Sequence, residues 1–190
     1  RLGFSLGVNH IPPKHCPYAC VYCQVGRTTC LETKRQDFYP LDQMLAEVER
    51  KIQESTHAGR TIDYLSLVPD GEPALDRNLY QLIKGLSAFE IPVAVISNAS
   101  LIDHDEVQEA LFLADWVSLK IDSTNESDWH RINRPHRSLS LSSILTGTLA
   151  FQKRFQGELV TETMLISGIN DDERSISQLS TFLQELQPFK

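Results

Sequence analysis

Three cysteines carry the strongest chemical signal in this 190-residue chain: Cys16, Cys20 and Cys23, spaced CxxxCxxC. A fourth, Cys30, lies seven residues further on, and the rest of the chain has none. Thiols clustered in this way are metal ligands or redox groups more often than disulfide partners, which a secreted scaffold spreads along its length. Three thiolates on one loop can hold three corners of an iron–sulfur cluster, where a fourth thiolate would close an ordinary site. With three ligands, one iron keeps an open coordination position for a small molecule. A structural zinc site is the competing reading, with Cys30 or His15 as its fourth ligand. Such sites commonly use two separated pairs of ligands, which this compact triplet does not supply.

Other polar residues fall at the ends of strand-like runs. Glu72 sits in the loop Asp70-Gly71-Glu72-Pro73, and Ser97-Asn98 ends a buried-looking strand. Ser118, Lys120 and Asp122 alternate on one strand face, which brings a cation and a carboxylate toward the same end. Each has a plain structural alternative: a solvated loop carboxylate, turn chemistry, or an exposed face with a salt bridge. Residues 130–137 gather three arginines and two histidines, a pattern able to grip a phosphate or simply to connect elements in solvent. His10 reads as structural, and His57 and His104 as surface residues. Cys30 reads as a free thiol.

The elements that must position these groups alternate in type. Strands are expected over 3–11, 62–69, 91–97, 116–122 and 159–167, with the cysteines on the loop after the first. Helical stripes run from Leu41 (capped by Asp42), from Leu79 (capped by Asp76), from the capping-box pair Asp103 and Glu106 through Leu113, from Ser142 to Phe155, and through Ile176, Leu179, Leu183 and Leu186. Residues 123–140 read as a long polar loop. Five strands alternating with five helices predict parallel β/α units in one α/β domain. No glycine-rich dinucleotide fingerprint follows any strand.

On these residues the chain resembles a radical S-adenosylmethionine (SAM) enzyme. That family is marked by this cysteine spacing with an aromatic before the third cysteine, here Tyr22, and by a Gly-Gly-Glu-Pro motif after its second strand. Asp70-Gly71-Glu72-Pro73 keeps three of those four residues. CPYACVYCQVGRT and VPDGEPALD look most like an iron–sulfur oxidoreductase branch near the wyosine-forming tRNA enzymes. The resemblance implies a partial (β/α)6-type TIM barrel with parallel strands, cut short after the fifth β/α unit, with residues 1–190 forming the core domain. It implies a 4Fe–4S cluster on Cys16, Cys20 and Cys23, whose fourth iron chelates the methionine end of SAM. Reductive cleavage of SAM would then give a 5′-deoxyadenosyl radical that takes hydrogen from an unidentified substrate. Glu72, with Gly71 beside it and Pro73 stiffening the turn, would meet the methionine ammonium. Tyr22 would meet adenine through its backbone. Ser97 and Asn98 would meet the ribose or methionine carboxylate, Lys120 and Asp122 SAM or substrate, and Ile166 with residues 168–170 adenine and substrate. A flavodoxin- or ferredoxin-type donor of low-potential electrons is the implied partner.

Composition narrows the setting. Hydrophobic residues make up 41% and charged residues 23%, enough for a core without disulfide support. No run reaches the roughly 18 apolar residues of a membrane span, and no signal-peptide pattern is present, so the expectation is a cytoplasmic protein. The formal net charge of −7 argues against non-specific nucleic-acid binding, while leaving a local RNA contact open. A non-catalytic zinc or iron–sulfur module is the functional alternative.

Overall fold

A computed structural model describes residues 2–189. In chain order its elements are β1 (Ser5–Val8), the two-residue β2 (His15–Cys16) and β3 (Cys30–Leu31), α1 (Leu41–His57), β4 (Tyr64–Leu67), a 3-10 turn (Pro73–Leu75), α2 (Leu79–Ser87), β5 (Val93–Ser97), α3 (Asp105–Leu111), β6 (Trp116–Lys120), α4 (Glu126–Asn133), α5 (Leu141–Arg154), β7 (Glu158–Glu162) and α6 (Glu173–Leu186). The main sheet runs β1-β4-β5-β6-β7, with every neighbouring pair parallel. Each strand therefore lies beside its predecessor, as in the wall of a β/α barrel, and the described sheet is open, with β1 and β7 at its edges. No helix among the described residues is long and apolar enough to cross a membrane.

The helices pack on one face of this sheet, and the other face carries its own small cluster of strand side chains. Leu65, Leu67, Val93, Val95, Val117 and Leu119 enter the large core shared with the helices. The other face carries a smaller cluster of Ala94, Trp116 and Val160. The alternating run 116–122 suggests a solvated polar face, but Ser118 is 1% and Asp122 4% exposed. Their polar atoms turn inside the curved sheet, not out to solvent.

Helix starts depart from the expected caps. Pro40, not Asp42, precedes α1, and Asp42 lies in its first turn, where a carboxylate suits the helix dipole. Asp103 and Glu106 form no capping box: α3 starts at Asp105 without a side-chain cap, and Glu106 pairs with Arg35 at 2.7 Å. Asp76 accepts from the Asn78 N–H at 2.8 Å, one residue before α2. The largest departure is α4, inside the stretch that reads as a polar loop. Asn125 caps it through the Asp128 N–H, and Arg134 closes it in the left-handed region at φ 45°. With eight residues and buried Trp129, Ile132 and Asn133 as its inner side, α4 is too short to show a helical stripe.

This short helix anchors the cysteine loop. The N–H groups of Ala19 and Val21 donate to the carbonyls of Asn133 and Ile132, each at 2.9 Å, and the His136 N–H donates to Pro17 at 2.8 Å. Helix-end carbonyls lack partners within the helix, and here the loop supplies them. Beneath, the buried Trp129 indole donates to the Tyr18 hydroxyl at 3.1 Å, the rings meeting edge-on at 6.0 Å. Tyr18→Phe leaves that N–H without its acceptor and is expected to cost about 1–3 kcal/mol. Urea unfolding of the two chains measures the difference, and equal midpoints and slopes would show the contact to be energetically idle.

Candidate active site

The cysteine loop rises between β2 and β3, which pair His15 with Cys30 and Cys16 with Leu31. Each of the three clustered thiols receives one side-chain N–H. Asn98, just past β5, donates to Cys16 Sγ at 3.2 Å. Asn133, at the end of α4, donates to Cys20 Sγ at 3.3 Å. Lys14 lies 3.6 Å from Cys23 Sγ and also donates to the Gly26 carbonyl. Lys14 holds a φ of 71°, and its backbone bridges the Asp70 carbonyl and the Cys30 N–H. Lys14 and Asn133 are functional neighbours that sequence reading missed. Lys14 stands two residues before Cys16, but nothing in the sequence pattern signals Asn133.

The Gly71–Pro73 segment is bound to the same loop. The Glu72 N–H donates to the His15 carbonyl at 3.0 Å. A Cβ on Gly71 would lie 2.3 Å from that carbonyl oxygen and 2.6 Å from Ile11 Cγ2, so only glycine fits. Pro73 opens the 3-10 turn, and the Glu72 carboxylate accepts from the Ala74 N–H at its start. Ser97 and Asn98 converge on this carboxylate: the Ser97 hydroxyl donates to Oε1 at 2.7 Å and the Asn98 N–H to Oε2 at 2.8 Å. The Ser97 side chain, expected at the ribose or methionine carboxylate, is buried and holds Glu72 in place. Asn98 likewise serves Glu72 and Cys16, and its Oδ1 accepts from the Ser100 N–H.

Past β6, Asp122 is a second buried hub. It accepts from the Tyr22 hydroxyl, from Asn133 at 2.7 Å and from the Met164 N–H at 2.9 Å. This carboxylate is therefore spent on the loop and the β7 end, instead of projecting into an open mouth. Lys120 lies over the Tyr22 ring, 4.8 Å from its centroid. Ile166 is placed past β7, not in it, and its N–H donates to Asn170 Oδ1 at 2.7 Å. Asn170 in turn donates to the Asp122 and Met164 carbonyls.

Within residues 130–137 some side chains are engaged, while Arg134 and Arg137 are exposed. His130 faces Glu126 at 3.4 Å, Arg131 faces Asp128 and the Gly168 carbonyl, and His136 bonds Ser138. His10 is buried, and burial pushes its imidazole down to about 4, which keeps the ring neutral. His57 and His104 are exposed.

Electrostatics make the site receptive to positive charge. Burial, and then the nearby Glu72 carboxylate, push the Cys16 thiol far above its ordinary range. Burial raises Cys20 as well, against the Asn133 hydrogen bond. Metal coordination removes the proton that burial otherwise retains. The three thiols do not close on one ion: among the described residues, the group with ligand atoms all within 4.8 Å of one another is His15, Cys30 and Glu32. Tetrahedral zinc with Zn–S bonds of about 2.3 Å needs its sulfurs closer together than that. His15 and Cys30, the fourth ligands such a zinc would borrow, turn to Glu32 instead. Three separated thiols, each with an N–H donor, fit a multi-iron cluster. Glu72 Oε2 accepts only the Asn98 N–H among the described hydrogen bonds, so it retains capacity for an ammonium donor.

Comparison with known proteins shows the family and the fold. The family model described as Radical SAM superfamily matches residues 11–179. The UPF0026 protein MJ1312 of Methanocaldococcus jannaschii is 46% identical over 190 residues, covering all of this chain and 59% of that protein. A UPF0026 protein of Helicobacter pylori strain J99 is 31% identical, covering 98% of this chain and 60% of its own length. The chain thus spans about three-fifths of these curated relatives. In fold it is similar to TYW1 with a lysine-pyruvate adduct bound (TM-score 0.65, 19% identity, 91% of this chain and 58% of that one). It is also similar to Streptococcus suis SuiB bound to S-adenosylmethionine (TM-score 0.69, 13% identity, 97% and 39%).

Burial holds the Glu72 carboxyl up at about 7, against a usual 4.5, although Ser97, Asn98 and Ala74 pull it down. The folded chain therefore keeps this proton to higher pH than the unfolded chain does, and ionisation weakens the empty fold as pH rises. Relative to Glu72→Gln, the natural chain is expected to lose about 2–3 kcal/mol of stability between pH 5 and pH 8, flattening above about 7. Urea unfolding of both chains across that range measures it; a constant gap would mean the carboxyl titrates normally.

Proposed function

The chain belongs to the radical SAM superfamily, and we propose that it is the catalytic core of an enzyme using a 4Fe–4S cluster and SAM to abstract hydrogen from a substrate. Cys16, Cys20 and Cys23 are the proposed cluster ligands. The observation that carries the reading is the double use of Asn98. Its side chain donates to Cys16 and its backbone N–H to Glu72, so the thiol triplet and the buried carboxylate belong to one site. When bound, the reduced cluster would supply the electron that cleaves the sulfonium of SAM to methionine and a 5′-deoxyadenosyl radical.

The chain's own residues then have these tasks. Glu72 takes the methionine ammonium, whose charge replaces the proton that burial favours, and Gly71 lets the backbone approach closely. Ser97 and Asn98 aim the carboxylate. Tyr22 is fixed by Asp122 and lies under the Lys120 cation, so its backbone is held where adenine would pass. Lys120 is the cation for the carboxylate of SAM or for substrate, and Ile166 borders adenine and substrate. A flavodoxin- or ferredoxin-type protein is the proposed electron donor.

Anaerobic reconstitution with iron and sulfide, followed by dithionite and SAM, is expected to yield 5′-deoxyadenosine. Cys20→Ala should lower it by at least about a hundredfold, the scale on which losing a first-rank catalytic interaction acts. Loss of Glu72 in Glu72→Gln should raise the SAM concentration needed while leaving the iron content unchanged. A chain that takes up one zinc at the triplet and no cluster would overturn the reading.

A further inference from the structure

We propose that His15, Cys30 and Glu32 form a separate site for one zinc-class divalent cation, which pins the base of the cysteine loop. Three different donor types converge there: an imidazole nitrogen, a thiol sulfur and a carboxylate oxygen, all within 4.8 Å of one another. Glu32 Oε1 lies 2.5 Å from His15 Nδ1 and 3.3 Å from Cys30 Sγ. A nitrogen–sulfur–oxygen set suits borderline zinc, whereas magnesium and calcium take oxygen ligands. Three protein ligands leave the fourth tetrahedral position to water. The side chains of His15 and Glu32 are 28% and 22% exposed, enclosed but open to an entering ion.

The surroundings look built to hold the ligands. Gln36 donates to Glu32 Oε1 at 2.9 Å, orienting the carboxylate. The His15 ring meets Phe38 edge-on, with centroids 5.4 Å apart. His15 and Cys30 are direct partners in the β2–β3 ladder, and a ladder of two residues is too short to be stable by itself. A metal bridging them would close the loop that carries Cys16, Cys20 and Cys23, with the Cys30 thiol proton released to solvent on binding. The site shares no ligand with the triplet, so it stands whether or not the cluster reading does.

The cluster-loaded chain, equilibrated with zinc chloride alone and gel-filtered, should retain about one zinc per chain by elemental analysis. Cys30→Ser and Glu32→Gln should each reduce retained zinc at least about tenfold, with iron and sulfide unchanged. In a Cys16→Ser/Cys20→Ser/Cys23→Ser chain shown to be folded by circular dichroism, cobalt should still give a thiolate-to-metal absorption band that Cys30→Ser removes. No retained zinc, or retention indifferent to Cys30→Ser, would overturn the proposal. So would cobalt binding that vanishes with the triplet but survives Cys30→Ser. Iron content and 5′-deoxyadenosine yield are read separately, so failure here is distinct from failure of the radical chemistry.

Discussion

Two backbone hydrogen bonds, from Ala19 and Val21 to the last carbonyls of α4, hold the part of the molecule on which its chemistry depends. Between the strands of its short β2–β3 ladder, the loop that carries the three clustered thiols must find partners for its polar backbone elsewhere. The end of a helix offers carbonyls that the helix leaves unbonded. That match brings Asn133 beside Cys20 and Asp122, and seats Tyr18 on Trp129. The loop is thus irregular in shape but tightly specified in position.

The second constraint is buried negative charge. Glu72 and Asp122 are 2% and 4% exposed, and the clustered thiols lie close to both. Isolated carboxylates in such surroundings are expensive, and each here is surrounded by donors: Ala74, Ser97 and Asn98 at Glu72, and Tyr22, Asn133 and Met164 at Asp122. The donors moderate the cost without removing it, as the raised Glu72 carboxyl shows. Carboxyls buried in this way favour a positively charged neighbour, because positive charge relieves a tension already present in the fold.

The parallel sheet explains why these groups meet. Strands wound in order deliver their carboxyl ends to one rim, where the connecting loops are free to vary. Cysteine loop, Glu72 turn, Asn98 and Asp122 follow β1, β4, β5 and β6 in that sequence. Neighbouring strands carry adjacent parts of one site, so the backbone order is also the order of the chemistry around the rim.

The five parallel strands, the thiol triplet, the Glu72 turn and the family are all legible in the order of residues. Those features depend on local spacing: a cysteine interval, a Gly-Glu-Pro turn, and apolar runs whose lengths suit strands. What Ser97, Asn98 and Asp122 touch depends on how the chain folds. At a strand tip a polar side chain can face solvent, ligand or another carboxylate, and the choice rests on what a distant loop brings within 3 Å. Folding also decides the existence of α4, whose eight residues carry too few apolar positions to announce a helix, and the roles of Lys14 and Asn133. His15, Cys30 and Glu32 belong to the same class. Spacing cannot join them, because it is a two-residue ladder closing across the cysteine loop that brings their donor atoms together.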